Sequence, residues 1–101
     1  MSEIRRLSPD EAEVLSSAAP AWRMADASLV RTFRFADFRQ AMDFVNDVAL
    51  LADERDHHPD ISISYGTVVL TLSTHKVGGL SQRDFELASA IDELPGAKAQ
   101  H

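Results

Sequence analysis

Polar and apolar positions change period several times along this chain, and each change marks an element. In "SLVRTFRF", Leu29, Arg31, Phe33 and Phe35 alternate with Val30, Thr32 and Arg34. A period of two with β-branched and aromatic content predicts a strand. The short stretch around Trp22, bracketed by Pro20 and "ADAS", is predicted to pair with it as a hairpin. From Asp37 the period lengthens: Phe38, Ala41, Met42, Val45, Val48, Ala49 and Ala52 recur at steps of three and four, one face of an amphipathic helix. That helix must stop near "DHHP", because the residue before a proline is pushed out of the α region and His58 holds that place.

Alternation then returns in "ISISY" and "TVVLTLST", with Gly66 between them for a tight connection and Val68, Leu70 and Leu72 on one face. Two more helices bracket these hairpins. "LSPDEAEVL" offers Ser8 as cap, Pro9 for the first turn and Glu11 three residues on, as in a capping box. "GGLSQRDFELASAIDEL" offers a flexible turn, Ser81 as cap, Asp84 in the first turn, and apolar Phe85, Leu87, Ala88 and Ile91 for a third helix. The predicted order is helix, two strands, helix, two strands, helix. It makes an α+β domain of two layers, a four-stranded antiparallel sheet with three helices on one face. A single domain over 1–101 is expected, with 96–101 as a frayed tail.

Composition narrows the function classes. At 101 residues there is one core and room for one main site. A net charge of −6 provides no broad basic surface for phosphates, so neither nucleic acid nor an anionic membrane is expected as a partner. No apolar run approaches the roughly 20 residues that span a bilayer, and "MSEIRRLSPDEAEV" lacks the apolar centre of a signal peptide. A soluble cytoplasmic protein is expected. With no cysteine, thiolate catalysis, thiolate-bound metal and disulfides are excluded.

The chemistry then concentrates in "DERDHHPD", residues 53–60, which holds two of the four histidines. His57 is predicted at the C-terminal end of the long helix, where the macrodipole favours an imidazolium. Asp53, four residues earlier, is predicted to reach the same ring and favour its charged form further. Pro59 forces His58 into an extended conformation, so its ring leaves in another direction. If the second hairpin folds back, His75 at the end of the last strand joins them, and "HHP" and "STH" converge on one pocket. A lone exposed histidine is usually only surface; three that converge form a candidate acid–base site. Metal binding is the second functional reading, but adjacent "HH" points the rings apart and lacks the usual ligand spacing, so no metal is expected. Trp22 is more often core than ligand-binding, although an indole beside a pocket can cover a flat ring.

Taken together, Asp53, three residues, His57-His58-Pro59, five residues, Tyr65, nine residues, His75, eight residues and Asp84 form a pattern. It resembles the signature of the pterin-4a-carbinolamine dehydratases, and the resemblance runs from Trp22 to about Ile91. It implies an enzyme that dehydrates 4a-hydroxytetrahydropterin to quinonoid dihydropterin, recycling the cofactor of aromatic amino acid hydroxylases, without metal or organic cofactor. It implies catalytic roles for His57 and His75, with Asp53 tuning His57 by the spacing argument. It implies substrate contacts at Asp56, His57, His58, Ser73, Thr74, His75 and Lys76, to which Trp22 is added as a candidate ring cover. His57 is expected as the acid and His75 as the base or hydrogen-bonding partner, with the roles exchangeable. Family members are homodimers or homotetramers. Many carry an aromatic residue where this chain has Ile61. The alternative is a non-catalytic pterin-binding or protein-interaction module of the same fold.

Overall fold

A computed structural model describes residues 4–100, so residues 1–3 and 101 of the expected 1–101 domain lie outside the described residues. The elements run α1 (Pro9–Ser17), β1 (Arg23–Ala25), β2 (Ser28–Arg34), α2 (Phe38–Arg55), β3 (Asp60–Ser64), β4 (Thr67–Leu72), a 3-10 turn (His75–Val77), α3 (Gln82–Asp92) and α4 (Pro95–Lys98). This is the predicted α+β order with two short additions. The strands form one antiparallel sheet in the order β1-β2-β4-β3, so the two hairpins meet at β2 and β4.

Register follows the alternation. Leu29 faces Leu72 and Phe33 faces Val68 across β2 and β4, which puts the large apolar side chains of both strands on one face. The helices cover that face, and Leu29, Phe33, Val68, Leu70 and Leu72 are fully buried. Phe33 packs on Phe44 of α2 with ring centroids 4.6 Å apart. Arg31 points to the same face as Leu29 and Phe33, and its charge is met by Asp92 at 2.5 Å, while its guanidinium lies 4.4 Å from the Phe33 ring centre.

The buried face of α2 is Ala41, Phe44, Val45, Val48 and Ala52. It is turned from the predicted stripe: Phe44 enters the core, while Phe38 and Ala49 are exposed. Phe44 packs against both Phe33 and Phe35, and these contacts turn its side of the helix to the sheet. Gly66 serves a different purpose from the one a tight turn requires. Tyr65 takes the left-handed conformation, at φ 50°, while a Cβ on Gly66 would stand 2.4 Å from the Phe35 carbonyl oxygen. Its backbone carbonyl accepts the Phe35 N–H at 2.7 Å, so the bare backbone is needed for close approach.

The tail expected to fray from 96 onwards is instead held through the described residues. Pro95 starts α4, Ala97 is buried, and Gln100 exchanges hydrogen bonds with the backbone of Arg34, 2.6 Å to its N–H and 3.0 Å to its carbonyl. The buried Ala97 methyl and the paired Gln100 amide are the contacts that dock it. No helix among the described residues is long and apolar enough to cross a membrane.

Candidate active site

The site is assembled where three elements end or begin. α2 stops at Arg55, and Asp56 takes the left-handed conformation, φ 50° and ψ 43°. The Asp56 N–H returns to the Asp53 carbonyl at 3.3 Å and the His57 N–H to the Ala52 carbonyl at 3.0 Å. These two bonds make a Schellman close, a position usually filled by glycine and tolerated by aspartate. Arg83 of α3 then donates from Nη2 to the Arg55 and Asp56 carbonyls at 2.7 and 2.9 Å. The helix end is therefore tied to the start of α3, and the chain leaves it with His57 turned inward and His58 outward.

A second ending brings His75. Beyond β4, Thr74 pairs with Gly79, its N–H donating to the Gly79 carbonyl at 2.9 Å and its carbonyl accepting from Val77 at 3.1 Å. The loop so closed presents His75 and Lys76 on the surface. Gly78 completes it at φ 67°, where a side chain is strained although space is open. Ser81 caps α3, and its N–H donates to the Asp84 carboxylate at 3.0 Å, which closes a capping box.

Asp84 is fully buried, and its two oxygens do different things. Oδ2 accepts from the Ser81 N–H and from the Thr74 hydroxyl at 2.8 Å. Oδ1 faces His57 Nε2 at 2.6 Å. A carboxylate only accepts, so Nε2 carries the hydrogen and Nδ1 is the ring nitrogen left for a molecule in the cleft.

The cleft, about 330 Å³, is lined by Asp56, His57, His58, Ser73, Thr74, His75 and Lys76, together with Ile4 and Arg83. It gathers every candidate substrate contact expected from the sequence except Trp22. Trp22 is 3% exposed in the core, and its indole N–H donates to Asp92 at 2.8 Å. Asp92 lies at the far end of α3 from Asp84, roughly 12 Å along the axis at 1.5 Å per residue, so Trp22 cannot cover a ring in this cleft. Ile61 also lies outside the lining, on edge strand β3. A larger groove of about 800 Å³ runs between residues 5–13 and the β1–β2 turn, but no histidine lines it.

Asp53 does not meet His57 as expected. Because α2 ends before His57, the four-residue helical spacing no longer holds, and Asp53 Oδ1 lies 2.9 Å from His58 Nε2 instead. Those side chains are 76% and 58% exposed, so the pair is a surface contact. Asp84 and Arg83 are the residues that reasoning along the chain missed. Asp84 was visible only as a first-turn acid and as the last position of the spacing pattern.

Comparison with known proteins agrees with the pattern. A sequence profile for pterin 4 alpha carbinolamine dehydratase matches residues 5–94. A Chloroflexus aurantiacus protein with a provisional pterin-4-alpha-carbinolamine dehydratase name is 50% identical over 88 residues, 85% of this chain and 95% of that protein. A Picosynechococcus protein with the same provisional name is 45% identical over 89 residues, 88% of this chain and 97% of its own. Among solved structures, a transcriptional coactivator/pterin dehydratase from Brucella melitensis superposes with a TM-score of 0.81 at 31% identity, covering 86% of this chain and 95% of that one. A pterin dehydratase-like RuBisCO assembly factor of the alpha-carboxysome superposes at 0.63 with 26% identity, covering 76% and 92%.

Proposed function

The chain belongs to the pterin 4 alpha carbinolamine dehydratase family, and from that premise we propose that it dehydrates 4a-hydroxytetrahydropterin to quinonoid dihydropterin. The observation that carries the proposal is the meeting of His57, backed by the buried Asp84 carboxylate, with His75 in one cleft. The reaction breaks the C4a–oxygen bond and forms a double bond from C4a to the adjacent ring nitrogen. One proton must reach the departing hydroxyl and one must leave that nitrogen, and the net product is water. Two imidazoles can share those tasks near neutral pH.

The geometry favours a division of labour opposite to the one Asp53 implied. His57 Nε2 is committed to Asp84, so the neutral ring offers Nδ1 as an acceptor, and a proton gained there forms a buried ion pair with the carboxylate. His57 is therefore assigned as the base. His75, exposed at the mouth, is assigned as the acid and is restored by exchange with solvent. Asp56, His58, Ser73 and Lys76 line the remaining wall and hold the flat pterin. Recycling of a hydroxylase cofactor belongs to this reading, as does assembly as a homodimer or homotetramer, for which the open sheet has β1 and β3 as its two edges.

A non-catalytic module is the other reading, favoured by the structural relative named as a RuBisCO assembly factor. One assay separates them: ultraviolet absorbance following freshly generated 4a-hydroxytetrahydropterin, with wild type beside His57→Ala and His75→Ala. Acceleration that falls roughly 10²-fold or more in each variant supports the dehydratase, that being the scale of acid–base catalysis. A wild-type rate equal to the spontaneous one supports the module.

A further inference from the structure

We propose that Thr74 is a positioning residue and not a substrate contact: its hydroxyl fixes the Asp84 carboxylate, and through it the His57 ring with Nδ1 free. The inference rests on the dehydratase reading for its kinetic consequence, but not for its structural one.

Thr74 lines the cleft, yet each of its polar groups is already engaged inside the protein. Its N–H donates to the Gly79 carbonyl at 2.9 Å, and its carbonyl accepts from Val77 at 3.1 Å and from Gly79 at 3.4 Å. Its Oγ1 lies 2.8 Å from Asp84 Oδ2 and 2.7 Å from Ser81 Oγ. The residue is 4% exposed. A bound pterin has no free donor on Thr74 to meet, and the one lone pair that Oγ1 retains belongs to a buried side chain.

The hydrogens of this network have one arrangement. Asp84 can only accept, so the single hydrogen of the Thr74 hydroxyl points at Oδ2. Ser81 Oγ must then donate to Thr74 Oγ1, and it remains free to accept the Arg83 N–H, 3.3 Å away. The chain of donors runs from the first turn of α3 through Ser81 and Thr74 into the carboxylate, and none is interchangeable. Oδ1 is left for His57 alone. Removing the Thr74 hydroxyl leaves Oδ2 with only the Ser81 N–H and frees the carboxylate to turn about its Cβ–Cγ bond. The His57 tautomer then loses its fixed partner.

The test compares Thr74→Val and Thr74→Ser with wild type in two readouts. Side-chain nitrogen NMR on the free protein reports the His57 tautomer without any reaction. Wild type and Thr74→Ser are expected to hold the Nε2–H form, and Thr74→Val to show a mixture with Nδ1–H. In turnover, Thr74→Val is expected to lower kcat by about 10- to 10²-fold, the scale of a misplaced group, with KM little changed and with activity restored by serine. A substrate contact behaves oppositely, raising KM at constant kcat. That outcome, with the Nε2–H form intact in Thr74→Val, overturns the proposal. If valine prevents folding, Thr74→Ala carries the same two comparisons. A wild type without dehydratase activity removes the proposed function, and the tautomer comparison alone then decides for or against the role of Thr74.

Discussion

His57 Nε2 lies 2.6 Å from Asp84 Oδ1, which joins the residue that leaves α2 to the first turn of α3, 27 positions away. The same carboxylate closes the capping box of α3, so one side chain serves helix initiation and ring orientation together. Both jobs require an acceptor at each oxygen.

Asp84→Asn should therefore impair both. The amide has one acceptor and one donor end: one orientation sets its NH₂ against the Thr74 and Ser81 hydrogens, and the other sets it against His57 Nε2–H or drives the ring to the Nδ1–H tautomer, which removes the free acceptor. Turnover is expected to fall roughly 10²-fold or more, the scale of lost acid–base function. Stability is expected to fall by about 1–3 kcal/mol, the usual cost of an unsatisfied buried group. Absorbance kinetics and urea denaturation measure the two effects, and an unchanged rate in a folded variant would contradict the role assigned to this pair.

Asp53→Asn is the contrasting case. Its carboxylate meets the exposed His58 and not His57. An exposed pair contributes roughly 0.2–1 kcal/mol, so the effect belongs in KM and is at most a few-fold. The pH–rate profile of kcat is expected to match wild type. A displaced profile would restore Asp53 as a partner of the reacting ring.

Gly78→Ala tests the loop that presents His75. Nothing lies within 4 Å of a Cβ there, so the cost is conformational and comes from φ 67°. About 1–2 kcal/mol of stability should be lost, the penalty of a left-handed residue with a side chain. Chemical denaturation gives the number, and a neutral result would mean the loop relaxes to another conformation.

Much of this architecture was legible along the chain because period and side follow directly from backbone geometry. Leu29 and Phe33, or Val68, Leu70 and Leu72, announce a buried sheet face by alternation alone. The meeting of "HHP" with "STH" was also readable, since Asp60 pairs with Thr71 once the hairpin closes. The partner of His57 was not. It depends on Asp56 adopting a left-handed close that glycine would have signalled and aspartate does not. Whether α2 runs on to His57 or stops at Arg55 decides whether Asp53 or Asp84 faces the ring. Trp22 was ambiguous for a related reason: an indole suits a core or a pocket equally, and only the position of Asp92 places it in the core.

Acid pH should weaken the start of α1. Glu11 is lowered from 4.5 to about 2, first by the Arg5 hydrogen bonds and then by the Ser8 backbone. Arg5 donates to both carboxylate oxygens at 2.8 Å, and the Ser8 N–H donates to Oε1 at 2.8 Å. A carboxyl whose folded pKa lies below its unfolded one stabilises the fold fully above the unfolded value and loses that contribution as pH falls through the folded one. The window is thus between 4.5 and about 2. The pair is exposed, so the effect is small and weakened by salt. Glu11→Gln should be less stable than wild type by a constant margin above pH 4.5. The margin should narrow steadily below it and close near pH 2, as followed by thermal unfolding in low salt. A margin that persists undiminished to pH 2 would show that the glutamate acts through packing at the helix start and not through its charge.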